Sequence, residues 1–354
     1  MAWLLVFFPI AFGLETFAAE HHLPIFIASS LAILPLAKWM GDATEQLATF
    51  FGEGVGGLLN ATFGNAAELI IALVALRAGL YDVVKASIAG SIIGNVLLVL
   101  GAAMLVGGLR HDEQKFNASA ARSQATMLVL AALALVLPAY FQTAAGTTAQ
   151  GLERLSVSIS VVLLLAYLLN LAFALITHRA LFAGAHQPDE LKPQTSKARA
   201  LSVLALATVG IGWMSEIMVG TIGPAAQELG LSKIFVGVFV VAIVGNAVEH
   251  ATAIFAAMKN RMDLSLSIAI GSSVQIALFV TPVLVLASFF IGPAPMDLAF
   301  PAGLVLLVLI SVLITAQVAN DGRSDWLEGV QLLTIYVVLA LTLFFVPGNS
   351  AGSH

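Results

Sequence analysis

Two glutamates dominate the chemistry open to this chain. Glu68 stands in GNAAELIIALVALRAGLYDVVKASIAGSIIGN, residues 64–95, and Glu249 in GNAVEHATAIFAAMKNRMDLSLSIAIGSSVQI, residues 245–276. The two segments align at a constant offset of 181 without a gap, and nine of their 32 positions are identical. Matches of Ala, Gly and Ser come cheaply in apolar helices, but the shared Asn65/Asn246, Glu68/Glu249 and Asp82/Asp263 do not. Both acids lie in strongly apolar runs, and an ionisable group inside a bilayer is a functional hypothesis by default. Two carboxylates brought face to face by a pseudo-twofold axis repel one another. Either at least one takes a proton, or a cation sits between them. Those occupancies exclude each other, and that competition is already an exchange mechanism.

The neighbouring residues narrow the cation. Asn65 and Asn246 each precede the acid by three residues, a spacing that shares one helix face. Gly64 and Gly245 permit a helix break that frees backbone carbonyls beside the acid. Ser91 and Asn95 in GSIIGN, with Ser272 and Gln275 in GSSVQI, add neutral oxygens. An all-oxygen set with two carboxylates suits a hard divalent ion such as calcium, which takes about six to eight oxygens. The chain has no Cys and only one imidazole nearby, His250, so zinc and copper fit less well. His250 reads equally as a hydrogen-bond donor that orients Glu249 and as a satisfied interior histidine, and Glu216 in SEIMVG as an accessory proton site or a hydrogen-bonded structural acid, the former slightly favoured. Proton coupling is thus assigned to Glu68, Glu249, Glu216 and His250. Plainer roles compete for some of these residues. Gly90, Ser91 and Gly94 also suit helix packing, Asp82 and Asp263 read as helix N-caps, and Glu15 as an interfacial acid.

What must position these groups is a stack of membrane helices. The chain of 354 residues is 60% hydrophobic and only 10% charged, with a mean hydropathy of +1.00. A soluble domain carries about 25% charged residues, so there is too little charge here to coat a water-soluble globule. A net charge of −5 without a long basic run excludes nucleic-acid binding by a basic surface. The lack of Cys excludes disulfides, thiolate catalysis and cysteine-held metals. Spans of roughly 20 apolar residues fall at about 2–19, 23–40, 55–77, 83–108, 124–142, 155–177, 200–220, 232–257, 264–289, 297–319 and 326–346. The fold class is therefore an all-α polytopic membrane protein of about eleven helices.

Lys and Arg fix an orientation. Eleven of the 15 fall on the side that holds Met1, and four (Arg77, Lys85, Arg154 and Lys233) on the other. The N-terminus is therefore expected in the cytoplasm and the C-terminus outside. The opening apolar run has no Lys or Arg before it, so it reads as a retained helix and not a cleaved signal. The last residues, from Pro347, read as frayed. The repeat motifs lie five spans apart, an odd number, so the second copy enters the membrane from the opposite side. This gives a leading helix over 1–22, a first half over 23–178, a cytoplasmic linker over 179–199 and an inverted second half over 200–354. A weaker echo, ATEQLA at 43–48 against AAQELG at 225–230, extends the match. Inverted repeats with a midplane site at their junction are a transporter architecture.

GNAAE and GNAVEH, each followed by a GS-containing helix, resemble the two α-repeats of the calcium/proton exchanger (CAX) family of the calcium:cation antiporter superfamily. The resemblance runs from about Leu34 to the end and is densest at 60–101 and 241–282. It implies a leading helix with two inverted five-helix halves, and it makes Glu68 and Glu249 the calcium-binding acids. The Asn65 and Asn246 segments and the Ser91/Asn95 and Ser272/Gln275 helices then surround the ion. The sodium/calcium branch favours G-T-S-x-P-E, whereas this chain has neither that Thr nor that Pro, which favours the proton branch. Plant and fungal members often carry a long polar N-terminal extension; its lack here suggests a prokaryotic cell membrane. The function so implied is export of cytoplasmic Ca2+ against H+ by alternating access, with the lipid bilayer as surroundings and no organic cofactor. The rivals are a sodium-driven calcium exchanger, which responds to a sodium gradient at fixed pH, and a passive cation channel, which passes current without a counter-ion. An intramembrane metalloenzyme built on Glu249 and His250 is disfavoured, because no second His follows four residues on.

Overall fold

The computed structural model describes residues 2–144, 148–178 and 195–345. Most of the expected linker, and the expected frayed end from Pro347, lie outside the described residues. After a 3-10 turn at Ala2–Val6 come α1 (Phe7–Phe17), α2 (His22–Phe63) and α3 (Ala66–Arg77). Next are α4 (Tyr81–Gly108), α5 (Ala118–Ala144), α6 (Ala149–Thr177) and α7 (Lys197–Glu228). The last four are α8 (Lys233–Met258), α9 (Met262–Ile291), α10 (Ala302–Val318) and α11 (Trp326–Phe344). A two-stranded antiparallel ribbon, β1 (Gln114–Lys115) with β2 (Arg323–Ser324), closes the gaps before α5 and α11. Among the described residues, eight helices are long and apolar enough to cross a membrane, and two shorter apolar helices, Trp3–Phe17 and Gly303–Val318, accompany them. Large apolar side chains such as Leu137, Leu169, Leu206 and Phe290 are exposed on the protein itself. In a bilayer these face acyl chains, where exposure costs nothing.

The second and third spans depart from expectation. The stretch 41–54, read as a connection, is helical, and α2 continues unbroken for 42 residues. At 1.5 Å per residue that is roughly 63 Å, about twice the hydrocarbon thickness. Local bonds carry it on: Lys38 pairs with Asp42 four residues away at 2.8 Å, and Thr44 donates to Met40 O at 2.8 Å. Polar residues end a span's hydropathy without ending its helix. The break falls later, at Gly64–Asn65, leaving α3 with 12 residues, about 18 Å and too short to span alone.

The repeat is written into the backbone. The α3–α4 turn closes on Gly79 with φ 72°, and the α8–α9 turn on Asn260 with φ 56°, the same repeat position. Leu80 N–H donates to Ala75 O at 2.9 Å and Arg261 N–H to Ala256 O at 3.0 Å, again equivalent residues. Gly and Asn are the residue types that enter this left-handed cap most readily. Farther on, α4 widens into a π-turn at Gly94–Val99 and α9 into another at Ile276–Val280, which under the offset of 181 matches all but the first residue of the earlier turn. In α9 the turn sits just ahead of Pro282. Proline lacks an N–H and clashes with the carbonyl four residues back, and a π-turn absorbs both defects. Thr281 Oγ1 also donates to Ile276 O at 2.8 Å. The disturbance at Pro282 thus takes the form of a π-turn.

The helices gather into two compact units, Met1–Ser87 with Asp189–Val248 and Thr342–His354, and Ile88–Pro188 with Glu249–Leu341. Each unit draws on both halves of the sequence. In the first, α2 and α7, which open the two halves, lie against each other. A Cβ on Gly210 of α7 would stand 3.1 Å from Leu36 Cδ1 of α2, the close approach small residues allow in membranes. Trp213 receives Phe8 and Phe12 edge-on, with centroids at 5.8 and 5.4 Å. In the second unit, α5 packs on α9 and α10, and α6 on α9. There Gly329 of α11 lies against the backbone of Gly101 and Leu105. Gln114, buried under the ribbon, donates to Ala257 O at 2.8 Å and Asn260 Oδ1 at 3.1 Å, tying the ribbon to the α8–α9 turn.

Candidate ion site

Glu68 belongs to the first unit. Because α2 stops at Phe63 and α3 begins at Ala66, Glu68 falls in the first turn of a helix. There the unpaired N–H groups and the positive end of the helix dipole favour a carboxylate. Asn65 is the N-cap residue, with φ −98° and ψ 24°, and is buried. It therefore opens the helix whose first turn carries Glu68, three residues on. Both carboxylate oxygens of Glu68 are shielded from the surface.

Gly245 corrects an expectation. It lies inside α8, which is continuous from Ala242 through Met258, and no break occurs there. What Gly245 provides is room. A Cβ at this position would come within 2.9 Å of Glu68 Cγ and 3.5 Å of its Cδ. The slack that a break would have supplied is instead taken up earlier in α8, by a π-turn at Val236–Val241. Asn246 is fully buried, and its Nδ2 donates to Ala242 O at 2.9 Å, which orients the side-chain amide.

Glu216 meets an arginine. Arg77 Nη2, in the last turn of α3, stands 2.6 Å from Glu216 Oε1 in the middle of α7. The sequence reading counted Arg77 only as a loop charge; an Arg that closes an acid-bearing helix was the available signal for its role. Lys85 was counted the same way, yet it is buried within α4.

Glu249 belongs to the second unit, with four of the expected residues on consecutive hydrogen bonds. Ser272 Oγ donates to Glu249 Oε2 at 2.6 Å. Asn95 Nδ2 donates to Ser272 Oγ at 3.3 Å. His250 Nε2 lies 3.0 Å from Asn95 Oδ1. Asn95 sits in the π-turn of α4, so the widened turn carries it toward α9. Ser91, buried, lies one turn earlier on α4, and Gln275, half-buried, ends the α-helical part of α9. His250 thus reaches Glu249 through Asn95 and Ser272. Asp263 departs from the expected N-cap: it is inside the first turn of α9, and its Oδ1 accepts from Asn117 N–H at 2.6 Å. Glu15, at the end of α1, is exposed.

A family model described as sodium/calcium exchanger protein matches residues 21–176 and 199–345. The chain belongs to that family. A Ca(2+)/H(+) antiporter of Synechocystis is 45% identical, over 97% of this chain and 96% of its own length. The Ca(2+)/H(+) antiporter ChaA of Bacillus subtilis is 43% identical, over 91% of this chain and 92% of its own. Among solved structures, native YfkE superposes with a TM-score of 0.81 at 39% identity, over 97% of this chain and all of that one. The kinship to calcium/proton exchangers implied by GNAAE and GNAVEH therefore holds along nearly the whole exchanger chain.

Proposed function

We propose that this exchanger is a secondary active antiporter that exports cytoplasmic Ca2+ in exchange for H+. Glu68 and Glu249 each pass between a calcium-bound carboxylate and a protonated acid, so calcium and protons compete for the same oxygens. The observation that carries the reading is the donor set at Glu249. Its carboxylate and the Ser272 hydroxyl bonded to it are both oxygen donors, and the repeat supplies a second acid at Glu68. A hard divalent ion matches such donors. The relatives' names, Ca(2+)/H(+) antiporter in both cases, support the same ion pair. If each acid yields one proton, one calcium exchanges for two protons without net charge.

In this reading the halves over 23–178 and 200–354 are inverted repeats, 1–22 is the leading helix, and 179–199 is the linker. The bias of Lys and Arg supports an N-terminus in the cytoplasm, and the bacterial relatives support a prokaryotic cell membrane. Calcium loads from the inside, the protein rearranges, and protons from outside displace the ion. Proton exchange rests on Glu68 and Glu249, while Glu216 braces α3 through Arg77.

The test is calcium flux into proteoliposomes with pH and sodium gradients imposed separately. Flux driven by the pH gradient alone is expected. Flux driven only by sodium would make sodium the coupling ion, and calcium current without a counter-ion would make the protein a channel.

A further inference from the structure

Three consecutive hydrogen bonds lead to Glu249. An amide oxygen only accepts, so the bond between His250 and Asn95 Oδ1 requires the proton to be on His250 Nε2. That choice leaves Asn95 Nδ2 as donor to Ser272 Oγ, which spends the Ser272 proton on Glu249 Oε2. Each donor fixes the next, and the carboxylate is the final acceptor. Such a chain strengthens along its length, and its last bond, at 2.6 Å, is a short one to a carboxylate.

The repeat makes this arrangement telling. Under the offset of 181, Ser272 has its counterpart in Ser91, but His250 corresponds to Leu69 and Asn95 to Ile276. Neither Leu nor Ile has a hydrogen-bonding side chain. The first two members of the chain thus have no hydrogen-bonding counterpart at the equivalent positions, and both serve the same acid. We infer that His250 and Asn95 are positioning residues that lock the Glu249 carboxylate through Ser272 and so raise calcium affinity at that acid.

The inference rests on the exchange reading above. Outer partners that orient a metal ligand typically contribute roughly 10-fold to 100-fold in affinity. His250→Leu, which installs the residue found at the equivalent position, is therefore expected to raise the calcium Kd and KM by about that factor with little change in the maximal flux. His250→Gln keeps an N–H donor at nearly the same place and is expected to recover most of the affinity. Ser272→Ala removes the last donor and should match His250→Leu; in the double variant the His250 change should add nothing further.

The experiment is Ca2+ titration by calorimetry on the full-length detergent-purified protein, with flux in proteoliposomes beside it. A Kd for His250→Leu equal to wild type overturns the inference. So does a His250→Gln as weak as His250→Leu, because that pattern reports lost ring packing and not a lost donor. Should His250→Leu fail to fold, the comparison of Ser272→Ala with Ser272→Thr, which retains the hydroxyl, decides the same question: equal affinity in the two overturns it. Wild-type protein that binds no Ca2+ at all removes the exchange reading and this inference with it. Binding by wild type with unaffected variants removes this inference alone.

Discussion

Residues 64–95 and 245–276 use one motif to place a carboxylate in two different ways. In the first, the helix is interrupted at Gly64–Asn65 and Glu68 sits in the opening turn of α3. In the second, α8 runs on through Gly245 and Asn246, and Glu249 sits within the helix. A helix terminus stabilises an acid through its own N–H groups and dipole. A helix interior has no spare backbone donors, so Glu249 takes its support from a side chain, Ser272. The difference follows from the preceding turns. The Val236–Val241 stretch of α8 is a π-turn, while its counterpart at residues 55–60 of α2 is regular α-helix. One copy absorbs its register change before the motif and the other breaks inside it. Sequence identity between repeats therefore transmits which residues are used, but not the backbone that holds them.

That comparison is broken most severely by removing the acids. Glu68→Gln and Glu249→Gln are both expected to abolish pH-driven calcium flux, reducing it to the level of empty liposomes. Retained flux in either would remove that acid from the site. The next effect separates the two glycines. Gly245→Ala would push a Cβ to 2.9 Å from Glu68 Cγ, and misplacing a reacting group by about 1 Å can cost roughly 100-fold. Gly64 lies exposed in the turn before α3, so Gly64→Ala should lower flux far less. Equal losses from the two would mean that Gly245 is not acting as clearance for Glu68.

Smaller effects probe the frame. Gln114→Ala removes two hydrogen bonds from the end of α8, to Ala257 O and Asn260 Oδ1. Loss of buried bonds of this kind costs about 1–3 kcal/mol, which should appear as a lower melting temperature in detergent; an unchanged melting temperature would show that the ribbon does not hold that turn. The Arg77–Glu216 pair links α3 to α7 and lies apart from the buried acids. Arg77→Gln, Glu216→Gln and the double variant should therefore show one shared, mild loss of stability with flux retained. A changed pH profile in Glu216→Gln but not in Arg77→Gln would restore Glu216 as a proton site.

Much of this was legible in the residues. Hydropathy located the helices because twenty apolar residues have few other uses, and the offset repeat singled out Glu68 and Glu249. What escaped reading was set by contacts the sequence does not rank. Residues 41–54 looked like a loop because Asp42 and Glu45 end the apolar run, yet both are compatible with a helix that Lys38 and Thr44 stabilise locally. Gly245 looked like a hinge, because glycine's freedom is visible in sequence and the neighbour that needs its lack of a side chain is not. The π-turns at Gly94–Val99 and Ile276–Val280 left only Pro282 as a hint. The indirect link from His250 to Glu249 depends on Asn95, 155 residues away.

The claim at the centre is that calcium and protons compete for Glu68 and Glu249. The most direct measurement is calcium-binding calorimetry repeated in buffers of different ionisation enthalpy, which counts the protons released per calcium bound. Wild-type protein should release protons on binding calcium below neutral pH, and Glu68→Gln and Glu249→Gln should each release fewer. Calcium binding that releases no protons, or the same number in all three proteins, would contradict the account.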